Sequence, residues 1–198
     1  MAGYVPFVGL TGGLGAGKST ALAALERLGA SVISSDAVVH ELYEGAELRE
    51  AVLARFGEEV VSDGRVDRAA LAEHAFATDQ DRVWLEAQVW PRVGARIAAW
   101  LTDARSQEPP ARAAVVEVPL LFEAGQEGIY DATIAVVAAE PLRAERANAR
   151  GHALVFERER RQLSQEEKAG RATYVVRNDG SIAQLEAELS AVLAKLDG

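Results

Sequence analysis

The chain contains no cysteine. That excludes disulfides and thiolate-ligated zinc, and it is compatible with a reducing, cytoplasmic setting. Lysine is also scarce: only Lys18, Lys168 and Lys195 occur, and the other cations are arginines. No stretch approaches the roughly 18 apolar residues of a membrane-spanning helix. The opening Met1-Ala2-Gly3-Tyr4-Val5-Pro6 has neither the basic nor the apolar region of a signal peptide. Neither a G-X-Y period nor long heptads appear, so collagen and coiled-coil architectures are excluded. A net basic balance is missing too. The formal charge is -9, which argues against a general nucleic-acid binder but leaves room for a local cationic site. The three histidines, His40, His74 and His152, lack metal-ligand spacing. What is present is ordinary for a globular protein: 49% hydrophobic and 26% charged residues over a length of 198. That length corresponds to about one domain with room for an insertion.

The apolar run Val5–Leu10 leads into Thr11-Gly12-Gly13 and reads as a buried strand. A helical pattern follows from Lys18, with Leu22, Leu25 and Leu28 on one side and Gly29 as its stop. Ser31–Ser34 reads as a second strand. Strand, glycine-rich turn, helix and strand form a βαβ unit, which implies a parallel sheet covered by helices. From about Asp36 to Arg105 the pattern is helical. Asp67 is placed as an N-cap for Arg68–Ala77, and Pro91 is expected to kink or divide the helix around it. Further strands are expected at 113–118, 132–138 and 174–176. A helix opens at Pro141, and Ser164 and Ser181 each begin a capping-box pattern. The expected architecture is α/β. A five-stranded parallel sheet is built from about 1–36 and 110–198, and a helical insertion of about 37–109 is placed between strands two and three.

Gly12-Gly13-Leu14-Gly15-Ala16-Gly17-Lys18-Ser19 satisfies G-x-x-x-x-G-K-[ST] in full. In such a P-loop, backbone N–H groups and the helix N-terminus face phosphate oxygens. Lys18 reaches the β- and γ-phosphates, and the Ser19 hydroxyl ligates Mg²⁺. Asp36 follows the second strand, on the side where open parallel sheets bind ligands. It can accept a proton from an acceptor hydroxyl or orient it, and it can equally cap the next helix. Glu117 closes the third strand. It is either a direct or water-mediated Mg²⁺ contact or an ordinary loop carboxylate. Arg143, Arg146 and Arg150 share one helical face, with Arg158, Arg160 and Arg161 close behind. They form either a solvated face paired with neighbouring glutamates or a lid over donor phosphates. No N/T-K-x-D segment supports a GTPase. A small metabolite or nucleotide kinase, or a P-loop protein that binds without catalysing, remains.

Beyond the P-loop, the chain reads Val32-Ile33-Ser34-Ser35-Asp36, Asp63-Gly64-Arg65-Val66-Asp67-Arg68, Val118-Pro119-Leu120-Leu121-Phe122-Glu123, Arg146 with Arg150, Gln162 with Lys168, and Asn178-Asp179-Gly180. In this order and spacing it resembles the dephospho-CoA kinases along nearly its whole length. The resemblance implies transfer of the ATP γ-phosphoryl group to the ribose 3′-hydroxyl of dephospho-CoA, the last step of coenzyme A synthesis, with Mg²⁺ as cofactor. It implies Lys18, Asp36 and Arg146 as catalytic residues. ATP would contact Gly12 to Thr20, Arg150, Asn178 and Gly180. The acceptor would meet Asp36, Arg68 and Pro119, Leu120, Leu121, Phe122 and Glu123. A small helical lid would span about 146–171. The implied partners are the two small substrates, with no nucleic acid, membrane or protein partner. Departures from the family's habit are Ser34 for Asp, Trp90 before Pro91 for His, Glu117 for Asp, Gly151 after Arg150 for Asp, and Thr173 after Ala172 for Asp.

Overall fold

A computed structural model describes residues 4–148 and 162–197. The chain divides into two compact units, Met1–Ser34 with Leu101–Gly198, and Ser35–Trp100.

The first unit is built on five parallel strands: β1 (Phe7–Gly12), β2 (Ser31–Ser34), β5 (Ala114–Glu117), β6 (Ala132–Val137) and β7 (Tyr174–Arg177). They lie in the order β2-β5-β1-β6-β7. β1 is central, with Leu10 in register with Glu117 on one side and Ile134 on the other. β5 and β6 are buried along their whole length, as expected of parallel strands covered on both faces. Helix α1 (Lys18–Arg27) and the last helix α8 (Ile182–Leu196) place Ala21, Ala24, Leu25, Leu185, Leu189 and Leu193 in one core with Val8, Leu10, Val115, Ile134 and Val136. Each fully buried leucine, isoleucine or valine there contributes roughly 1.5–3 kcal/mol.

Helices α6 (Glu140–Asn148) and α7 (Gln165–Arg171) flank β6 and β7 in sequence. Both capping boxes form. Ser164 accepts from the Glu167 N–H while the Glu167 carboxylate accepts from the Ser164 N–H, and Ser181 and Gln184 repeat the arrangement. At the start of β6, the Thr133 N–H donates to Thr173 Oγ1 and the Thr173 N–H donates back to Thr133 Oγ1, each at 3.0 Å. Thr173 thus ties the roots of two adjacent strands.

The second unit holds α2 (Ser35–Glu44), α3 (Ala46–Phe56), the two-residue strands β3 (Val61–Ser62) and β4 (Arg65–Val66), α4 (Arg68–Ala75) and most of α5 (Asp79–Ser106). Its own core gathers Leu48, Val52, Val60, Leu71, Ala75, Leu85 and Val89. Asp67 caps α4 as expected, accepting from the Ala69 and Ala70 N–H groups.

One expectation is corrected here, and Pro91 and Asp36 are each found within a helix. The segment from Asp36 to Arg105 is not helical throughout, because β3 and β4 pair antiparallel across Asp63-Gly64. Both turn residues have positive φ, 51° and 73°, as a two-residue type I′ hairpin requires. Pro91 does not divide its helix; α5 runs unbroken through it. Pro91 is solvent-exposed, so the carbonyl that loses its amide partner stays wettable, and the Arg92 guanidinium donates to the next carbonyl, that of Gln88, at 2.8 Å. α2 begins at Ser35, which puts Asp36 inside its first turn, where a carboxylate complements the helix dipole. Among the described residues no helix is long and apolar enough to cross a membrane.

Candidate active site

The loop between β1 and α1 carries the phosphate-binding motif at the carboxyl edge of the central strand. Its backbone demands glycine. Gly15 and Gly17 adopt φ of 71° and 90°, a region costly for side chains with a Cβ. Space is closed as well as angle. A Cβ on Gly15 would lie 2.3 Å from the Arg143 carbonyl oxygen, and one on Gly17 would lie 2.0 Å from Asn178 Nδ2. Gly17 stands at the N-cap of α1 with no side chain capping the helix. A helix N-terminus at this point favours a bound anion through its dipole and its amide groups. Lys18 Nζ donates back to the Gly12 and Gly13 carbonyls at 3.1 and 3.3 Å, which holds the ammonium over the loop. Ser19 is exposed on the first turn of α1.

Side chains from α6 and from the segment after β7 brace this loop. Asn178, buried just after β7, donates from Nδ2 to the Ala16 carbonyl at 2.9 Å, and its own N–H reaches Val137 O at 2.8 Å. Arg146 on α6 donates to the Asn178 carbonyl at 3.1 Å. Arg143, one turn earlier, donates from Nε to Leu14 O at 3.0 Å and pairs with Glu140 at 2.6 Å. The described pair of arginines is thus turned onto the loop and its brace rather than spread over a solvated face. Arg150, Arg158, Arg160, Arg161 and most of the expected lid lie outside the described residues.

Beside the P-loop, β5 ends at Glu117, which is buried. The chain continues through Pro119–Glu123. Leu121 and Phe122 are buried, while Pro119, Leu120 and Glu123 are half-buried. Thr11 donates to the Pro119 carbonyl at 3.3 Å. Lys168 of α7, wholly shielded from solvent, donates to the same carbonyl at 2.7 Å and pairs with Glu123 Oε1 at 3.0 Å. Burial pushes the Lys168 ammonium below the usual lysine range, and the Glu123 carboxylate opposes that shift.

This arrangement suits a nucleotide phosphate at the carboxyl edge of a parallel sheet, with cationic side chains converging on the loop that holds it. The family described as dephospho-CoA kinase matches residues 6–184.

The chain belongs to the dephospho-CoA kinase family.

A dephospho-CoA kinase of Thermus thermophilus is 40% identical over 194 residues, covering 96% of this chain and 92% of that one. A Thermus thermophilus protein solved by crystallography superposes with a TM-score of 0.82 at 39% identity, covering 98% of this chain and 100% of that one. A dephospho-CoA kinase from Campylobacter jejuni gives a TM-score of 0.68 at 25% identity, covering 96% of each.

Of the family-type residues, the structure brings Lys18, Ser19, Arg146 and Asn178 to one end of the sheet. Asp179 accepts from the Ala139 N–H at 2.5 Å, and Gly180 sits against the Gln184 side chain of the second capping box. Asp36 and Arg68 belong to the second unit. Asp36 is exposed in the first turn of α2, and Arg68 Nη1 lies 2.7 Å from His40 Nδ1. Sequence reasoning passed over two features. Arg143 figured only as one member of a cationic face, and nothing in its neighbours foretold its bond to Leu14. In the sequence Lys168 stands only as a family-type position; its scarcity among three lysines is the one signal it carries.

Among the described residues no three acidic or histidine side chains cluster as a metal site. A P-loop magnesium does not need such a cluster, because it is held by one or two protein oxygens, water and phosphates. The Ser19 hydroxyl and the Glu117 carboxylate are hard oxygen donors of the type this ion prefers, so the donor set fits.

Proposed function

We propose that this chain transfers the γ-phosphoryl group of ATP to the ribose 3′-hydroxyl of dephospho-CoA, giving ADP and coenzyme A. The observation that carries the reading is the braced P-loop in a chain matched to dephospho-CoA kinases over nearly its full length. In the reaction a bond forms between the 3′-oxygen and the γ-phosphorus while the bond to the β–γ bridging oxygen breaks. The displaced proton goes to a base, and ADP carries away the electron pair of the broken bond.

The roles are assigned from the chemistry of the motif residues and from the family resemblance. The loop amides and the N-terminus of α1 cradle the phosphates, and Lys18 offers a point charge to the β- and γ-oxygens. Asp36, two residues past the carboxyl end of β2, orients the 3′-hydroxyl and takes its proton. Arg146 offers a guanidinium to the phosphoryl group in flight, where charge spreads over three oxygens. Ser19, with Glu117 directly or through water, would hold Mg²⁺, which when bound neutralises charge on the β- and γ-oxygens. Pro119–Glu123 and Arg68 serve the acceptor. Arg150, Asn178 and Gly180 serve ATP, Asn178 by shaping the loop through Ala16. The acceptor unit is taken as about 37–109 and the lid as about 146–171. We place the reaction in the cytoplasm, with which a chain free of cysteine is compatible.

The test is ADP release in a coupled assay with dephospho-CoA, with nucleosides, with simple sugars, and with no acceptor. Dephospho-CoA should be consumed far faster than the others, and the product should carry its new phosphate on the 3′-oxygen. Equal rates with nucleosides or sugars would assign the chain to another small-kinase activity. ATP binding without turnover of any acceptor would make it a binding protein.

A further inference from the structure

A lysine wholly withdrawn from solvent is an expensive way to hold a helix. Removing an ammonium from water costs several kcal/mol even after relaxation, and apolar replacements of buried ion pairs are often as stable or more so. Among the described residues Lys168 is the largest side chain with no exposure. The pairing around it is also incomplete. Glu123 Oε1 accepts from Lys168 and from the Leu163 N–H at 2.8 Å, while Glu123 Oε2, equally buried, finds no donor among the described residues. A pair built only for stability would satisfy both oxygens.

What the ammonium does supply is fixed geometry at a junction. Its Nζ reaches the Pro119 carbonyl at 2.7 Å. That carbonyl also accepts from the Thr11 hydroxyl, and Thr11 directly precedes the first glycine of the P-loop. One residue earlier in the turn, the Val118 N–H donates to Leu10 O at 2.8 Å. Lys168 therefore pins both ends of the Pro119–Glu123 turn, by the carbonyl of the first residue and the carboxylate of the last. The turn is tied at its first residue to the strand that carries the phosphate loop. An aliphatic side chain at position 168 could fill the space but could fix neither point.

We propose that Lys168, acting with Glu123, is a positioning residue for the acceptor: it sets the place of the Pro119–Glu123 turn relative to the P-loop, and hence of the acceptor relative to the γ-phosphate. The inference rests on the acceptor role assigned to that turn above. It separates two jobs that sit side by side. The loop residues determine how ATP is held, and the buried pair determines where the second substrate meets it.

The experiment is a pair of KM measurements, one per substrate, with kcat and thermal midpoint, on wild type, Lys168→Met, Lys168→Met/Glu123→Leu and Thr11→Val. Wild-type turnover of dephospho-CoA tests the proposed function; the pattern among variants tests Lys168. Lys168→Met should raise KM for dephospho-CoA about tenfold or more and change KM for ATP less than about threefold. The double variant removes the orphaned charge, so its midpoint should recover toward wild type while KM for dephospho-CoA stays raised. Thr11→Val keeps shape and removes only the second donor to Pro119, so it should give a smaller rise in the same constant. The proposal is overturned if the double variant binds dephospho-CoA like wild type, or if both KM values climb together in proportion to lost stability. Should Lys168→Met fail to fold, a wild-type KM for dephospho-CoA in the double variant still overturns the proposal. Should the double variant fail as well, an unchanged KM for dephospho-CoA in Thr11→Val overturns it.

Discussion

Arg143 and Arg146 stand one helical turn apart on α6 and engage the nucleotide loop in different ways, which separates their expected effects. Arg143 grips Leu14 O, so it shapes the loop that receives ATP. Removing it should weaken ATP binding in ground and transition states alike, the pattern of a raised KM with kcat little changed. Arg143→Met is expected to raise KM for ATP severalfold, as steady-state kinetics at saturating dephospho-CoA would show; a fall in kcat with normal KM would contradict the assignment. Arg146 donates to the Asn178 carbonyl, a bond it can exchange for a developing phosphoryl charge. Arg146→Ala should lower kcat by about a hundredfold or more, on the scale of arginines that stabilise transferring phosphoryl groups, and Arg146→Lys should recover part of that because it keeps charge but loses the planar fork. A near-normal kcat for the alanine variant would return Arg146 to a structural role. The P-loop residues were legible in the sequence because their spacing is local and dictated by one anion. Lys168 was not, because its burial is created by a partner at Glu123 and a carbonyl at Pro119, both distant in sequence.

At the scale of elements, legibility followed the strength of local chemistry. Both capping boxes and the Asp67 cap are written in three or four consecutive residues, and all three form. The β3–β4 hairpin also carried a local sign, Asp63-Gly64. It was overlooked because strands of two residues leave no alternating pattern and the long segment around them reads at helical spacing. Pro91 shows the opposite failure. A proline inside a helix is a strong breaker, yet an exposed carbonyl can turn to water and Arg92 braces the next one, so α5 continues. The Asp67 cap offers a direct measurement. It accepts from the Ala69 and Ala70 N–H groups at 2.9 and 3.1 Å, the side-chain cap of α4. Asp67→Ala should therefore cost about 1 kcal/mol of stability, read as a lower urea midpoint with unchanged slope. Asp67→Asn, which still accepts, should lose less. Equal losses for both would point to charge rather than capping.

For the molecule as a whole, the alternation of strands and helices announced a parallel sheet with an insertion, but not which strands become neighbours. The order β2-β5-β1-β6-β7 is settled by contacts among distant segments, such as Phe7 meeting Tyr130 with ring centroids 4.8 Å apart. That contact gives the global stability an alkaline dependence. Burial pushes the Tyr130 hydroxyl up to about 12 from an ordinary value of 10.0, because the phenolate is poorly solvated beside the root of β1. The folded chain thus keeps this proton above pH 10 while the unfolded chain releases it. Where the unfolded state binds fewer protons, stability falls as pH rises. The contribution of Tyr130 is complete below about pH 10 and is lost progressively toward pH 12. Tyr130→Phe preserves the ring against Phe7 and Gly9 and removes the ionisation. Urea unfolding of both proteins at intervals from pH 8 to 11.5 should give curves that run parallel at the lower values and separate above pH 10, with wild type falling faster. Curves that stay parallel throughout would show that Tyr130 titrates alike in both states and that its burial carries no electrostatic weight in this fold.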